Sequence, residues 1–149
     1  MSNTLFPGRD NYTGPTTGWF GLLHHDTLCE ESHNVMERVA YVKREKPKSE
    51  IAIRLHNMIY LSPEACPVVA KLAPLDADYY AKRAAMLADC DAKLCDAKLA
   101  ALLADYDAKH ASLYADYEAK LAPLDAVIFA YIRTKIPDCA WNGKEFNFG

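Results

Sequence analysis

Large apolar side chains recur along the second half of the chain at intervals of 4, 7 and 4 residues: Leu75, Tyr79, Met86 and Cys90, then Leu102, Tyr106, Leu113, Tyr117, Leu124 and Ile128. They belong to an eleven-residue repeat, Ala-x-Leu-x-Ala-Asp-Tyr-Asp-Ala-Lys-x, whose four copies start at Ala73, Ala84, Ala100 and Ala111. Five extra residues, Cys95 to Leu99, separate the second copy from the third, and Lys-Leu-Ala-Pro-Leu-Asp-Ala occurs at both Lys71 and Lys120. Ala dominates, and no Gly or Pro occurs between Leu75 and Ala122, so the stretch has the composition of a helix. Asp78/Lys82, Asp89/Lys93, Asp105/Lys109 and Asp116/Lys120 stand at i,i+4 with the acid first, the order that suits the helix dipole. The pattern predicts one helix from about Leu75 to Lys120, about 46 residues and roughly 69 Å long.

An eleven-residue period favours a straight or slightly right-handed supercoil. The insertion turns the second stripe by about 140° relative to the first. One helix would then carry two apolar seams pointing different ways, and self-association into an oligomeric, coiled-coil-like bundle is the expected way to bury both. A hairpin bent near Cys95 is the alternative, disfavoured because no Gly, Pro or Asn marks the bend. Pro123 is expected to kink or restart the helix, leaving a last piece, Pro123 to Thr134, with Leu124, Ile128 and Ile132 on one face.

Upstream the helical period continues in shorter pieces. Asn34 to Lys46 reads as an amphipathic helix with Val35, Val39 and Val42 inward. Pro47 ends it and opens a second helix, Lys48 to Tyr60, burying Ile51, Leu55 and Met58 or Ile59, with Arg54 and His56 on its more polar side. Ser62-Pro63-Glu64 has the form of a further helix start, reset by Pro67. Met1 to Leu23 is rich in Gly, Pro, Thr and Asn and reads as an ordered loop pinned by Trp19 and Phe20. In the tail the period changes: Trp141-Asn142-Gly143-Lys144 carries the Asn-Gly pair of a type I′ hairpin. A lone hairpin is marginal in water, so it is expected to dock on the N-terminal segment of its own chain or on a neighbouring protomer. The fold class expected is mainly α. It has a small loop and helix region (1–70), a long repeat helix kinked near Pro123 (71–135) and a C-terminal β-hairpin docking on the globular end (136–149).

Charge narrows the partners. The net charge is −3 and is concentrated in the repeat, an acidic rod that disfavours wrapping by DNA or RNA. Five scattered cysteines, Cys29, Cys66, Cys90, Cys95 and Cys139, form neither a disulfide framework nor a paired zinc motif. Cys90 and Cys95 fit best as small apolar packers. Neither a signal peptide nor a transmembrane run is present, which points to a soluble protein of a reducing cytoplasm without a membrane partner.

Candidate chemistry lies in the first third. If helical, His25, Cys29 and His33 would share a face and could hold zinc or act as a Cys–His pair, but no fourth ligand or orienting carboxylate is specified. No Gly-rich phosphate loop, His-Glu-x-x-His or nucleophile elbow is present, so neither an enzyme nor a cofactor is expected. The aromatic rings of Trp19 and Phe20, the imidazoles of His24, His25 and His33 and the cations of Arg38, Arg44 and Arg54 form the candidate ligand-binding set. Rings can stack on a base while arginines meet phosphate.

Three stretches, Gly14-Pro15-Thr16-Thr17-Gly18-Trp19-Phe20-Gly21-Leu22-Leu23-His24-His25-Asp26, Leu61-Ser62-Pro63-Glu64-Ala65-Cys66-Pro67 and Ile136 to Lys144, give the chain an outline. It resembles a group of small bacteriophage-encoded proteins with Ala/Asp/Tyr/Lys helical repeats and a closing Ile-Pro-Asp-Cys-x-Trp-Asn-Gly-Lys. The resemblance implies a phage setting, in the host bacterial cytoplasm during infection, and carries no activity. Two functions are in view. One is a non-enzymatic phage accessory protein that counteracts host defence by sequestering a small anionic nucleotide-type signal in an oligomer. The other is a structural or assembly protein in which the repeat is spacer and oligomerisation device.

Overall fold

In a computed structural model, residues 3–94 and 98–149 are described. The chain divides into two compact units, Met1–Val69 with Asp125–Gly149, and Ala70–Leu124.

The first unit is built on a sheet that the sequence pattern did not reveal. Strands β1 (Gly18–His24), β2 (Thr27–Ser32) and β3 (Ile59–Tyr60) pair antiparallel in the order β2-β1-β3. Phe20 lies opposite Glu30 on one side and Tyr60 on the other. Where a loop was expected, β1 is the central strand. It shows no polar–apolar alternation because both of its faces are covered. Phe20 and Leu23 pack with Val35, Val39, Val42 and Met58, whereas a Cβ on Gly21 would meet Ile132 and Ile59 at under 3 Å. One extra residue in β1 shifts the register between Gly21 and His24, and Leu22 there takes a positive φ of 61°. The bulge allows the consecutive Leu22 and Leu23 both to be buried.

Helix α1 (Val35–Glu45) is capped by the Asn34 side chain, which accepts from the Met36 amide, and it buries the three valines expected of it. Helix α2 (Lys48–Asn57) stops earlier than its pattern suggested. At Met58 the backbone becomes extended, and Ile59 and Tyr60 join the sheet, where the Tyr60 amide donates to the Leu5 carbonyl. After Ser62-Pro63-Glu64 there is only a turn and then a 3₁₀ segment, Pro67–Lys71, not a full helix.

The tail is a looser turn than an Asn-Gly hairpin. Trp141 and Phe146 form an isolated bridge. Between them Asn142 Oδ1 accepts from the amides of Lys144 and Glu145, and Gly143 takes a φ of +105°. That side-chain-closed turn replaces the two-residue type I′ form. The Phe146 amide donates to the His25 carbonyl at the β1–β2 turn.

The second unit overturns the single long helix. Helix α3 (Leu72–Lys93) ends at a tight Leu94-to-Asp91 bond, and α4 begins again at Leu99. The longest helix, α4 (Leu99–Lys135), has 37 residues and runs on through Pro123. The bend at Cys95 and that residue's packing lie outside the described residues. Tyr79 stacks near Tyr117 with ring centroids 4.5 Å apart, Tyr117 donates to Asp76 at 2.7 Å, and Tyr79 and His110 share a bond of 3.3 Å. Tyr79, early in α3, meets Tyr117, whereas Asp89, late in α3, faces the earlier Lys109, so the two helices are antiparallel. The two apolar seams face each other, and closing one short loop costs far less than associating separate chains. The residue pattern was right about the seam and wrong about its partner.

The repeat also explains the register. Within each helix the four Asp–Lys pairs close at 2.7–2.8 Å. Across the hairpin Asp116 feels Lys82, Lys120 feels Asp78 and Asp89 feels Lys109. One edge of the hairpin is thus a ladder in which acid meets base both along and between helices. No helix among the described residues is long and apolar enough to cross a membrane.

Candidate ligand groove

Helix α2 and the tail border an open groove of about 740 Å³. Asn57 holds it together. This side chain, 1% exposed, donates from Nδ2 to the Ile53 carbonyl at 2.8 Å and accepts the Ala140 amide at Oδ1 at 3.0 Å. The first bond ends α2 and the second pins the tail to it. Trp141, largely buried, meets Phe146 edge-on, and Phe146 lies against Phe148. Trp141 and Phe148 line the groove together with Ile53, Asn142 and Asn147. At its rim His56 Nε2 and Asp138 Oδ1 are 3.1 Å apart. The bond from His56 and one from the backbone hold the Asp138 carboxyl below its ordinary range.

Behind Phe148 stands Arg54, only 5% exposed, its guanidinium 4.7 Å from the ring centroid. Its Nε and Nη2 both bond Glu50 Oε2, at 2.9 and 2.7 Å, while the buried Nη1 has no partner. Long charged side chains are almost never this buried unless paired, and here the pairing is incomplete. Arg38 lies in the same region: Nε donates to the Leu23 carbonyl at 3.0 Å. Burial first, and the neighbouring Arg54 charge second, draw its pKa down. Glu30, whose charge favours that of Arg38, also pairs with His24.

Of the residues expected to bind a ligand, His24, Arg38 and Arg54 come together and the others do not. Phe20 is fully buried in the core, tilted against Tyr60, so it has no face to offer a base. Trp19 is a half-buried β1 residue opposite Glu31, away from the groove lining. His25 is exposed at the β1–β2 turn, His33 is exposed past β2, and Arg44 is exposed on Glu45 at 2.6 Å. The shared face of His25, Cys29 and His33 is not formed, because Thr27–Ser32 is a strand of 6 residues, and six extended residues span roughly 20 Å. Among the described residues no group of three His, Cys, Asp or Glu is placed to hold a metal.

Sequence reasoning missed His56, Asn57, Asp138, Trp141 and Phe148 as one site. His56 and Asp138 are 82 positions apart, and no periodicity joins them. The available signal was the dense Trp141-Asn142-Gly143 tail, which had to dock somewhere. Cys139 also lines the groove, but burial pushes its thiol up, away from the thiolate a nucleophile needs. Fold and site together define a small α+β unit with a groove of ligand size that carries a helical hairpin. The chain matches no family model, no curated protein and no solved structure.

Proposed function

We infer that the protein is a non-enzymatic binder of a small, planar, anionic molecule of nucleotide type, held in the groove between α2 and the tail. The observation that carries this reading is the buried Arg54 guanidinium, with one nitrogen unpartnered, stacked 4.7 Å from the centroid of Phe148, a ring that lines the groove. Trp141 and Phe148 provide apolar surface for a ring. Asn142 and Asn147 spend their amide oxygens on backbone amides, which leaves their Nδ2 donors for an acceptor on the ligand. Sequestration of a host nucleotide signal by a phage accessory protein is the role we assign, and its support is the resemblance.

The test is a thermal-shift and calorimetric panel of nucleotides and cyclic dinucleotides on the whole chain. A ligand that binds only the native state stabilises by mass action, about 2.7 kcal/mol at a hundredfold excess over Kd. Phe148→Ala and Arg54→Met should each abolish the shift. No stabilisation by any member of the panel, or stabilisation indifferent to both substitutions, refutes the reading. A second reading, a structural spacer, is favoured by the self-complementary register of the hairpin, which is independent of the groove.

A further inference from the structure

The hairpin has a second face that nothing described covers. On each helix the residue that follows a seam residue is rotated by about 100°. In an antiparallel pair that rotation carries both helices' residues to the same side. Tyr80 and Leu87 of α3 and Leu103 and Tyr114 of α4 follow seam residues in this way, and Leu94, the C-cap of α3, and Leu99 stand seven residues after Leu87 and four before Leu103, so the six share one side, opposite the Asp–Lys ladder. All six are exposed large hydrophobics, from 42% for Leu87 to 59% for Tyr80, and Tyr80 and Tyr114 both flank the Tyr79 ring.

The geometry points to a second copy of this chain as the occupant, docked face to face and antiparallel, with the twofold axis passing Leu87. Three observations select this arrangement. The first is spacing: Tyr80 and Leu94 stand seven residues either side of Leu87, and Arg83 and Asp91 four residues either side. A twofold axis at Leu87 thus sets Arg83 against Asp91 of the second copy, Tyr80 against Leu94, and Leu87 against itself. The same operation brings Leu103 of α4 close to Tyr114. The second is charge. Arg83 and Asp91 have no side-chain partner among the described residues, whereas the four Asp–Lys pairs of the same hairpin are closed. A parallel arrangement would put like charges opposite one another; the antiparallel one satisfies both.

The third is extent. Six large hydrophobic residues on one face, each between 42% and 59% exposed, make a contiguous apolar patch of the kind that marks an interaction surface. The product is a four-helix bundle of two hairpins, each residue i meeting j while j meets i. Self-association then runs through this remaining face, because the two original seams are already spent on each other. It does not depend on the groove or on any ligand.

Sedimentation equilibrium on the full chain at micromolar concentration tests it, with circular dichroism to show that helix content is retained. The native chain should be a dimer. Leu87→Glu should yield a monomer. Arg83→Asp and Asp91→Arg should each weaken the dimer by at least roughly tenfold, since each creates two like-charge contacts in a desolvated interface. The double variant Arg83→Asp/Asp91→Arg should restore the dimer. A native chain that stays monomeric, a dimer indifferent to Leu87→Glu, or a double variant no better than the singles would each overturn the arrangement. Those results leave the groove reading untouched, because its test reads ligand binding and not mass.

Discussion

Asn57→Ala is the sharpest test of how the groove is held. The side chain makes two bonds, to the Ile53 carbonyl and from the Ala140 amide, and it is almost fully buried. A typical intramolecular hydrogen bond contributes a net 0.5–1.5 kcal/mol, and a donor left unpaired in a buried place costs about 1–3 kcal/mol. The Ile53 carbonyl is a helix acceptor at the end of α2, so its loss is the smaller. The Ala140 amide donates to Asn57 Oδ1 and belongs to a half-buried residue. Together the change should cost about 2–3 kcal/mol, concentrated on the attachment of the tail. Hydrogen exchange resolves this, because the Phe146 and Asn147 amides bond to His25 and Ala140 and report tail opening directly. Their protection, with that of Ala140, should fall by roughly thirty- to 140-fold, while the α1 amides change little. His56→Ala is the control: its pair with Asp138 is solvent-exposed, and such pairs contribute little. Unchanged protection at Ala140 and Phe146 in Asn57→Ala would refute the clamp. So would an equal loss at every amide, which would make Asn57 a core residue and not a local fastener.

Gly21→Val should destabilise the first unit by about 1–3 kcal/mol or more, since even its Cβ would lie 2.8–2.9 Å from Ile132 and Ile59; a chemical denaturation midpoint equal to that of the native chain would contradict the two-sided packing of β1. Burial first, and Tyr60 second, push Tyr12 up to about 12. A phenol whose folded pKa is raised adds stability fully present below pH 10 and lost as pH rises toward 12. Tyr12→Phe should therefore flatten the decline of stability in that window, and an unaltered alkaline slope would count against the assignment. Inserting one eleven-residue unit into both α3 and α4 should preserve a cooperative melt. Insertion into α3 alone should leave roughly 16 Å of helix without a partner and broaden the transition; equal melts for the two would show that the register does not bind the helices.

What the chain determined locally was the position of every apolar stripe. The eleven-residue period placed Leu75, Tyr79, Met86, Cys90, Leu102, Tyr106, Leu113 and Tyr117 on inward faces, and those residues are at least partly buried. The valines of α1 were equally legible, because helical periodicity is a property of neighbours three and four apart. The partner of a stripe is not such a property. Whether two seams meet in one chain or between chains is not written in either stripe, and among the described residues the seams of α3 and α4 pack on each other. β1 was unreadable for the related reason that burial on both faces erases alternation. Arg54 shows the limit most plainly: its place on α2 reads as solvent-facing, yet the fold lays the tail's Phe148 over it. The groove arises from that long-range docking, where Asn57 meets Ala140 and His56 meets Asp138, more than eighty positions apart. Only chain closure brings those groups together, since loop-closure entropy rises slowly with length and leaves no trace in local sequence.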